Sequence, residues 1–180
     1  MMVETPAGLQ VEETPFLTHL SLRLDPAGPA ATAVEQVLGC ELPAPCTFTR
    51  SEHADVLWLG PDEFLILAPT DARDELPLRL RAAIGDEFAS VIDVSAQRTT
   101  LRLAGPLTQD ILARGCAIDL DPRTSPAGTC IQTLLAQTGV ILLVHAPTTS
   151  ISLLVRPSFA PYLAAWLTDA CTEYRQKQAA

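Results

Sequence analysis

Val56-Leu57-Trp58-Leu59-Gly60-Pro61-Asp62-Glu63-Phe64-Leu65-Ile66-Leu67 places two short apolar runs on either side of a Gly-Pro-acidic turn. Glycine and proline punctuate a chain more strongly than any other residues, and apolar runs of strand length that flank such a pair read as neighbouring strands. Val56 to Leu59 and Phe64 to Leu67 are therefore expected to pair as an antiparallel hairpin. Upstream, Leu20, Leu22 and Leu24 alternate with His19, Ser21 and Arg23, the period-two pattern of a half-buried strand from Leu17 to Leu24. Ala30, Ala33, Val34, Val37 and Leu38 then follow helical spacing up to Gly39, a residue suited to stop a helix in the left-handed conformation. Thr47 to Ser51 supplies further strand material.

The same style continues downstream of the hairpin. Asp74 is expected to cap a helix with Pro77 in its first turn, where a missing N–H costs nothing, and with Leu76, Leu80, Ala83 and Ile84 as the buried stripe before Gly85. Strands are expected at Ser90 to Val94 and Thr99 to Leu103, followed by a helix from Gly105-Pro106 through Ala113. Thr129 to Ala136 and Val140 to Val144 read as strands turned at Gln137-Thr138-Gly139, with Ile151 to Val155 after them. In the last helix Ser158 is the expected N-cap, and Leu163, Trp166, Leu167, Ala170 and Tyr174 share one face. Strand pairs interleaved with single helices predict an α+β fold of mainly antiparallel sheets with helices packed on one side, arranged as two plait-like lobes. The expected division is a disordered tail over 1–10, an N-terminal lobe over 11–88, a C-terminal lobe over 89–175 and a tail over 176–180.

Composition narrows the class of function. Charged residues make up 18% of the 180 residues and hydrophobic ones 48%, against a typical charged share of about 25%. Such a chain either builds a large core or keeps apolar surface for a partner. No apolar run approaches the roughly 18–20 residues that span a bilayer, and the N-terminus lacks the charged and apolar regions of a secretory signal, so a cytoplasmic protein is expected. Twelve basic residues against twenty-one acidic ones give a net charge of −9, and the arginines are dispersed, which argues against a nucleic-acid partner. The five cysteines contain no Cys-x-x-Cys pair and read as small buried hydrophobes.

Motifs that hold cofactors or build catalytic sites are missing from the string. There is no Gly-x-Gly-x-x-Gly, no Walker loop and no Gly-x-Ser-x-Gly elbow. His19, His53 and His145 are far apart in sequence, and Asp62/Glu63 and Asp119/Asp121 sit in turn contexts where side chains face water. One polar segment stands out between two apolar strands: Asp93-Val94-Ser95-Ala96-Gln97-Arg98-Thr99-Thr100. It reads either as an Asp93–Arg98 pair that holds the strand entry, or as Gln97 and Arg98 reaching a partner or an anionic ligand through the forked guanidinium.

Several phrases, in order and spacing, carry a resemblance. Trp58-Leu59-Gly60-Pro61-Asp62-Glu63-Phe64-Leu65, then Asp93 to Thr100 running into Leu101-Arg102-Leu103-Ala104-Gly105-Pro106, then Leu112-Ala113-Arg114-Gly115-Cys116-Ala117-Ile118-Asp119-Leu120, and Arg156-Pro157-Ser158-Phe159-Ala160 before Trp166 together resemble the gamma subunit of heterotetrameric sarcosine oxidase. The resemblance runs from about Val11 to Cys171. It implies a complex that oxidises sarcosine to glycine and hydrogen peroxide, with the methyl carbon passed to tetrahydrofolate or released as formaldehyde. It also implies that FAD, FMN, NAD and folate reside on the alpha and beta subunits and zinc on the delta subunit, with no cofactor or metal on this chain. The implied fold is that of the folate-binding domain of aminomethyltransferases, docked on the alpha subunit. Such proteins place an acidic residue after a Gly-hydrophobic strand start, whereas Gly139-Val140 is followed here by Ile141, Leu142 and Leu143. That departure implies loss of folate chemistry and retention of the scaffold. Trp58, Asp93, Gln97, Arg98 and Arg156 are the candidate structural or subunit-contact residues, and no residue is expected to be catalytic. The rival expectations are a free-standing folate-binding one-carbon transferase and a folate-fold accessory protein that would need a reactive thiol, for which Cys116 is the candidate.

Overall fold

The computed structural model describes residues 3–14 and 16–179. In chain order its elements are β1 (Gln10–Thr14), β2 (Thr18–Arg23), α1 (Pro29–Leu38), β3 (Phe48–Arg50), β4 (Asp55–Gly60), β5 (Glu63–Ala68), α2 (Leu76–Ile84), β6 (Ser90–Asp93), β7 (Thr99–Ala104), α3 (Thr108–Ala113), β8 (Cys130–Leu135), β9 (Thr138–Ala146), β10 (Ser150–Val155), α4 (Ala160–Ala170) and α5 (Thr172–Ala179). One-turn 3-10 helices at Thr70–Ala72 and Pro157–Phe159 precede α2 and α4. Among the described residues no helix is long and apolar enough to cross a membrane.

The chain divides into two compact units. Residues 16–96 form one, whose antiparallel sheet has the order β3-β4-β5-β2-β6. The Gly60-Pro61 turn closes the β4–β5 hairpin with Trp58 opposite Phe64. Alternation in β2 sends Leu20 and Leu22 to the face where α1 and α2 pack, and they join Val34, Leu38, Phe64, Ile66 and Leu80 in one core. Gly39 ends α1 as its type suggests: its φ is +71° and its N–H donates to the Glu35 carbonyl at 2.8 Å.

The second unit joins the N-terminal strand to the residues from 97 onward, in a sheet of order β1-β7-β10-β9-β8. Its core sets Leu101, Leu103, Leu142, Val144, Leu153 and Val155 against Ile111, Leu112, Leu163 and Leu167. Val140 to Val144 is an unbroken apolar run because both faces of β9 are buried: Ile141 and Leu143 point away from the helices and are 1% exposed.

Each unit is a β-α-β-β-α-β plait with one extra edge strand, β3 or β8. In the first unit β6, which follows α2, is the last strand of the plait. In the second that place beside β7 is taken by β1, in register from Gln10↔Ala104 to Thr14↔Thr100. The unit boundaries therefore differ from those expected. The break falls after Ala96 because β6 pairs with β2, and β1 belongs with the C-terminal half. Residues 3–10 are not a loose tail, since Leu9 is 3% exposed inside the second core. At the other end, α5 carries regular structure through Ala179, into the expected tail over 176–180. Met1, Met2 and Ala180, the extreme ends of the two expected tails, lie outside the described residues.

Two helix starts also differ from expectation. Asp74 and Ser158 were the natural capping residues, yet α2 and α4 begin without a side-chain cap. Thr70 and Pro157 begin helical geometry a turn early: the Pro69 carbonyl accepts from the Ala72 N–H and the Arg156 carbonyl from the Phe159 N–H. Ser158 consequently sits inside the 3-10 turn rather than in front of a helix.

Candidate functional site

The β10–β7 ladder decides which candidate residues meet. Val155 lies opposite Thr99, so the next residue along each strand, Arg156 and Arg98, leaves the end of the sheet on adjoining strands. The two arginines line a cleft of about 480 Å³ with Gly139 and Ile141 of β9, Leu134 of β8 and Phe159 of the 3-10 turn after β10. A side chain at Gly139 would enter open space. Leu134 is 52% and Phe159 44% exposed, so the rim is apolar as well as cationic.

Chemically the cleft is poorly equipped to move a proton. No Asp, Glu, His, Cys or Lys is among its described lining residues, so no side chain there has the pKa range of a general acid or base at neutral pH. Ile141, near the start of β9, contributes only hydrocarbon.

The other three candidate residues lie elsewhere. Gln97 is exposed at the start of the second unit. Trp58, in β4 of the first unit, is partly buried and packs on that unit's core. Asp93 ends β6 and accepts from the Ser95 hydroxyl at 2.6 Å, the Ser95 amide at 2.8 Å and the Arg73 guanidinium at 3.0 Å. Ser95 first, and Arg73 after it, hold the Asp93 carboxyl below the ordinary carboxylate range. Asp93 was expected to pair with Arg98; the partners it takes are Ser95 and Arg73 instead. Leu134 and Phe159 were not singled out from sequence, and nothing local marks Leu134: it is one apolar residue in an edge strand whose burial otherwise alternates.

Several other titratable groups are held by partners within the chain. Asp62 and Glu63 hold Arg23 at 3.1 and 2.7 Å, and Asp121 holds Arg123 at 2.9 Å. His145 Nε2 meets Ser152 Oγ at 2.8 Å. Cys116 is half-buried, and burial pushes its thiol up in spite of backbone bonds from Ile118 and Ala117, the reverse of what a nucleophilic thiolate needs. Among the described residues no group of three His, Cys, Asp or Glu is placed to hold a metal ion.

Near the C-terminus Lys177, and Arg114 after it, draw the Glu173 carboxyl from 4.5 down to about 2. The depressed value means that this network favours the folded chain above pH 4.5 and that its contribution fades as the pH falls from about 4.5 to about 2. NMR titration of the Glu173 side chain is expected to give a midpoint near 2, and Lys177→Ala is expected to raise it; a midpoint at 4.5 would contradict the network.

The model of the sarcosine oxidase gamma subunit family matches residues 23–173. The chain belongs to that family. Among curated members it is 37% identical to the sarcosine oxidase subunit gamma of Corynebacterium sp. (strain P-1) over 178 residues, covering 98% of this chain and 86% of that one. It is 37% identical to the subunit of the same name from an Arthrobacter species, covering 94% and 83%. A chain in the structure of heterotetrameric sarcosine oxidase from Corynebacterium sp. U-96, solved with pyrrole 2-carboxylate, superposes on this gamma-family chain with a TM-score of 0.86 at 34% identity, over 96% of this chain and 88% of that one. The aminomethyltransferase T of Bartonella henselae shares the fold alone, with a TM-score of 0.67 at 14% identity over 91% of this chain and 46% of that one.

Proposed function

We propose that this chain is the non-catalytic gamma subunit of a heterotetrameric sarcosine oxidase, docked on the alpha subunit and required to keep the complex assembled. The observation that carries the reading is kinship over nearly the whole chain: 34% identity and a TM-score of 0.86 across 96% of its length to a chain in such a heterotetramer. The complex oxidises sarcosine to glycine and hydrogen peroxide, and its methyl carbon leaves as formaldehyde or as the methylene adduct of tetrahydrofolate. FAD, FMN, NAD and tetrahydrofolate belong to the alpha and beta subunits and zinc to the delta subunit, and the particle works in the cytoplasm. A one-carbon transferase would need a carboxylate at Ile141, and a thiol-dependent accessory protein would need Cys116 with a depressed rather than a raised pKa.

Co-expression with the alpha, beta and delta subunits tests this. A tag on this chain is expected to retain a yellow, sarcosine-oxidising particle with the four subunits in equal amounts. Recovery of the tagged chain alone, with the flavoprotein subunits in the flow-through, would refute it.

A further inference from the structure

We propose that the groove between the start of α1 and the loop from α2 to β6 is a docking face for a partner-subunit segment that presents a cationic side chain with an apolar residue beside it. The inference rests on the assembly reading and gives that reading a place on the surface of the first unit.

Shape and apolar surface are the first ground. The groove measures about 1090 Å³, and its described lining residues all belong to the unit formed by residues 16–96. Pro26, Pro29 and Pro61 wall it, and a proline wall has little backbone freedom to lose on binding. Phe88 is part of the same lining, yet it is the most exposed large hydrophobic side chain among the described residues and belongs to neither core. Scattered exposed apolar residues are ordinary, but a phenylalanine standing wholly in water beside a rigid groove has the form of an interface anchor.

Charge decides the occupant. Among the described lining residues are four acids, Asp25, Asp62, Asp86 and Glu87, and one base, Arg23. Arg23 is already held by Asp62 and Glu63 at 3.1 and 2.7 Å, so it does not offset the rest. Asp86 and Glu87 are exposed and take part in no ion pair among the described residues. The start of α1 does not offset them either. Pro29 has no N–H, the Gly28 N–H donates to the Asp25 carbonyl at 3.0 Å and the Ala31 N–H to the Gly28 carbonyl at 3.1 Å, so most of the amides that draw an anion to a helix start are spent. A recess of this sign draws a cationic partner group and rejects an acidic one. A second copy of this chain is a poor source of that group. Arg50, Arg73, Arg114, Arg123, Arg175 and Lys177 each hold an acid of their own chain, as Arg23 does, and two chains of net charge −9 repel one another.

Exposure makes the test clean, because Phe88, Asp86 and Glu87 can be replaced without opening a core. Tagged wild-type chain, Phe88→Ser, the double reversal Asp86→Lys with Glu87→Lys, the conservative exchange Asp86→Glu with Glu87→Asp, and the control Leu78→Ser, an exposed residue of α2 outside the groove, would each be co-expressed with the other three subunits. Retention of the flavoprotein subunits would be measured after a salt wash. Melting of each purified variant within a few degrees of wild type establishes its folding. Phe88→Ser and the double reversal are each expected to lower retention about tenfold or more, while the conservative exchange keeps most of it and Leu78→Ser all of it. Wild-type retention by Phe88→Ser or by the double reversal would overturn the docking face and leave the assembly reading standing. A loss with Leu78→Ser equal to that with Phe88→Ser would overturn a face confined to this groove. Self-association of the purified chain that Phe88→Ser abolishes, with complex retention unchanged, would overturn it in favour of a second copy. Failure of the wild-type chain itself to retain partners would overturn both readings.

Discussion

Gly105→Ala is expected to destabilise the second unit by roughly 3 kcal/mol, from backbone strain and overpacking together. Gly105 has a φ of +122°, which L side chains rarely adopt, and a Cβ built on it would stand 2.3 Å from the Gly8 carbonyl oxygen and 2.9 Å from its carbon. Both obstacles are main chain, so no rotamer change relieves them. The close approach has a purpose in the fold. The Gly8 carbonyl accepts from the Leu107 N–H at 3.2 Å, and Gly105 donates to the Thr149 carbonyl at 2.8 Å, so one glycine joins the N-terminal segment, the start of α3 and the loop before β10. An added methyl pushes residue 8 away and loosens β1 from β7. In a chain of this size the loss corresponds to a fall in Tm of about 6–12 °C. Amide exchange should quicken along β1 and β7 while β2, β4 and β5 stay protected. An unchanged Tm and unchanged β1 protection would contradict the strand assignment.

Phe64→Ala is expected to cost about 3–5 kcal/mol, the usual range for deleting a fully buried aromatic side chain. Phe64 is 1% exposed and heads the fully buried side chains by volume. It stands in β5, between β4 and β2, on the face where α1 and α2 close the core. Removing the ring leaves a cavity bounded by sheet on one side and helices on the other, and neither can collapse far. The two units have separate cores, so exchange protection should fall in β2, β4 and β5 first. Phe64→Leu should cost distinctly less. Equal losses for the two variants, or uniform loosening of both units, would contradict a core centred on this residue.

These two positions were not equally visible in the sequence. Phe64 lies beside Gly60-Pro61, and both its strand and its pairing follow from turn chemistry a few residues away. The alternation at Leu20, Leu22 and Leu24 and the Gly39 stop are equally local, so the α+β class and most strands were within reach. Strand β1 was not. Gln10-Val11-Glu12-Glu13-Thr14 offers one apolar residue in five, and its stability comes from β7, a partner in the other half of the chain. Long-range pairing of that kind leaves no local trace, and the same blindness hid the boundary after Ala96. The missing helix caps have a nearer cause: prolines that open a 3-10 turn displace the residues best suited to cap.

At the candidate site the individual residues were legible and their meeting was not. Arg98 and Arg156 each stood in a phrase worth quoting, but only the Val155↔Thr99 register brings their two strands together at one end of the sheet. Asp93 was expected to pair with Arg98, five residues on, whereas its partners Arg73 and Ser95 lie on either side of β6 in its own unit. The apolar rim was invisible because Leu134 and Phe159 have no sequence feature that distinguishes an exposed leucine or phenylalanine from a buried one.

Peroxide release from sarcosine bears most directly on the whole account. Purified by itself, this polypeptide should yield none above background at any enzyme concentration, and the same preparation mixed with the alpha, beta and delta subunits should form a particle that releases it steadily. Steady release by the lone polypeptide would contradict the account.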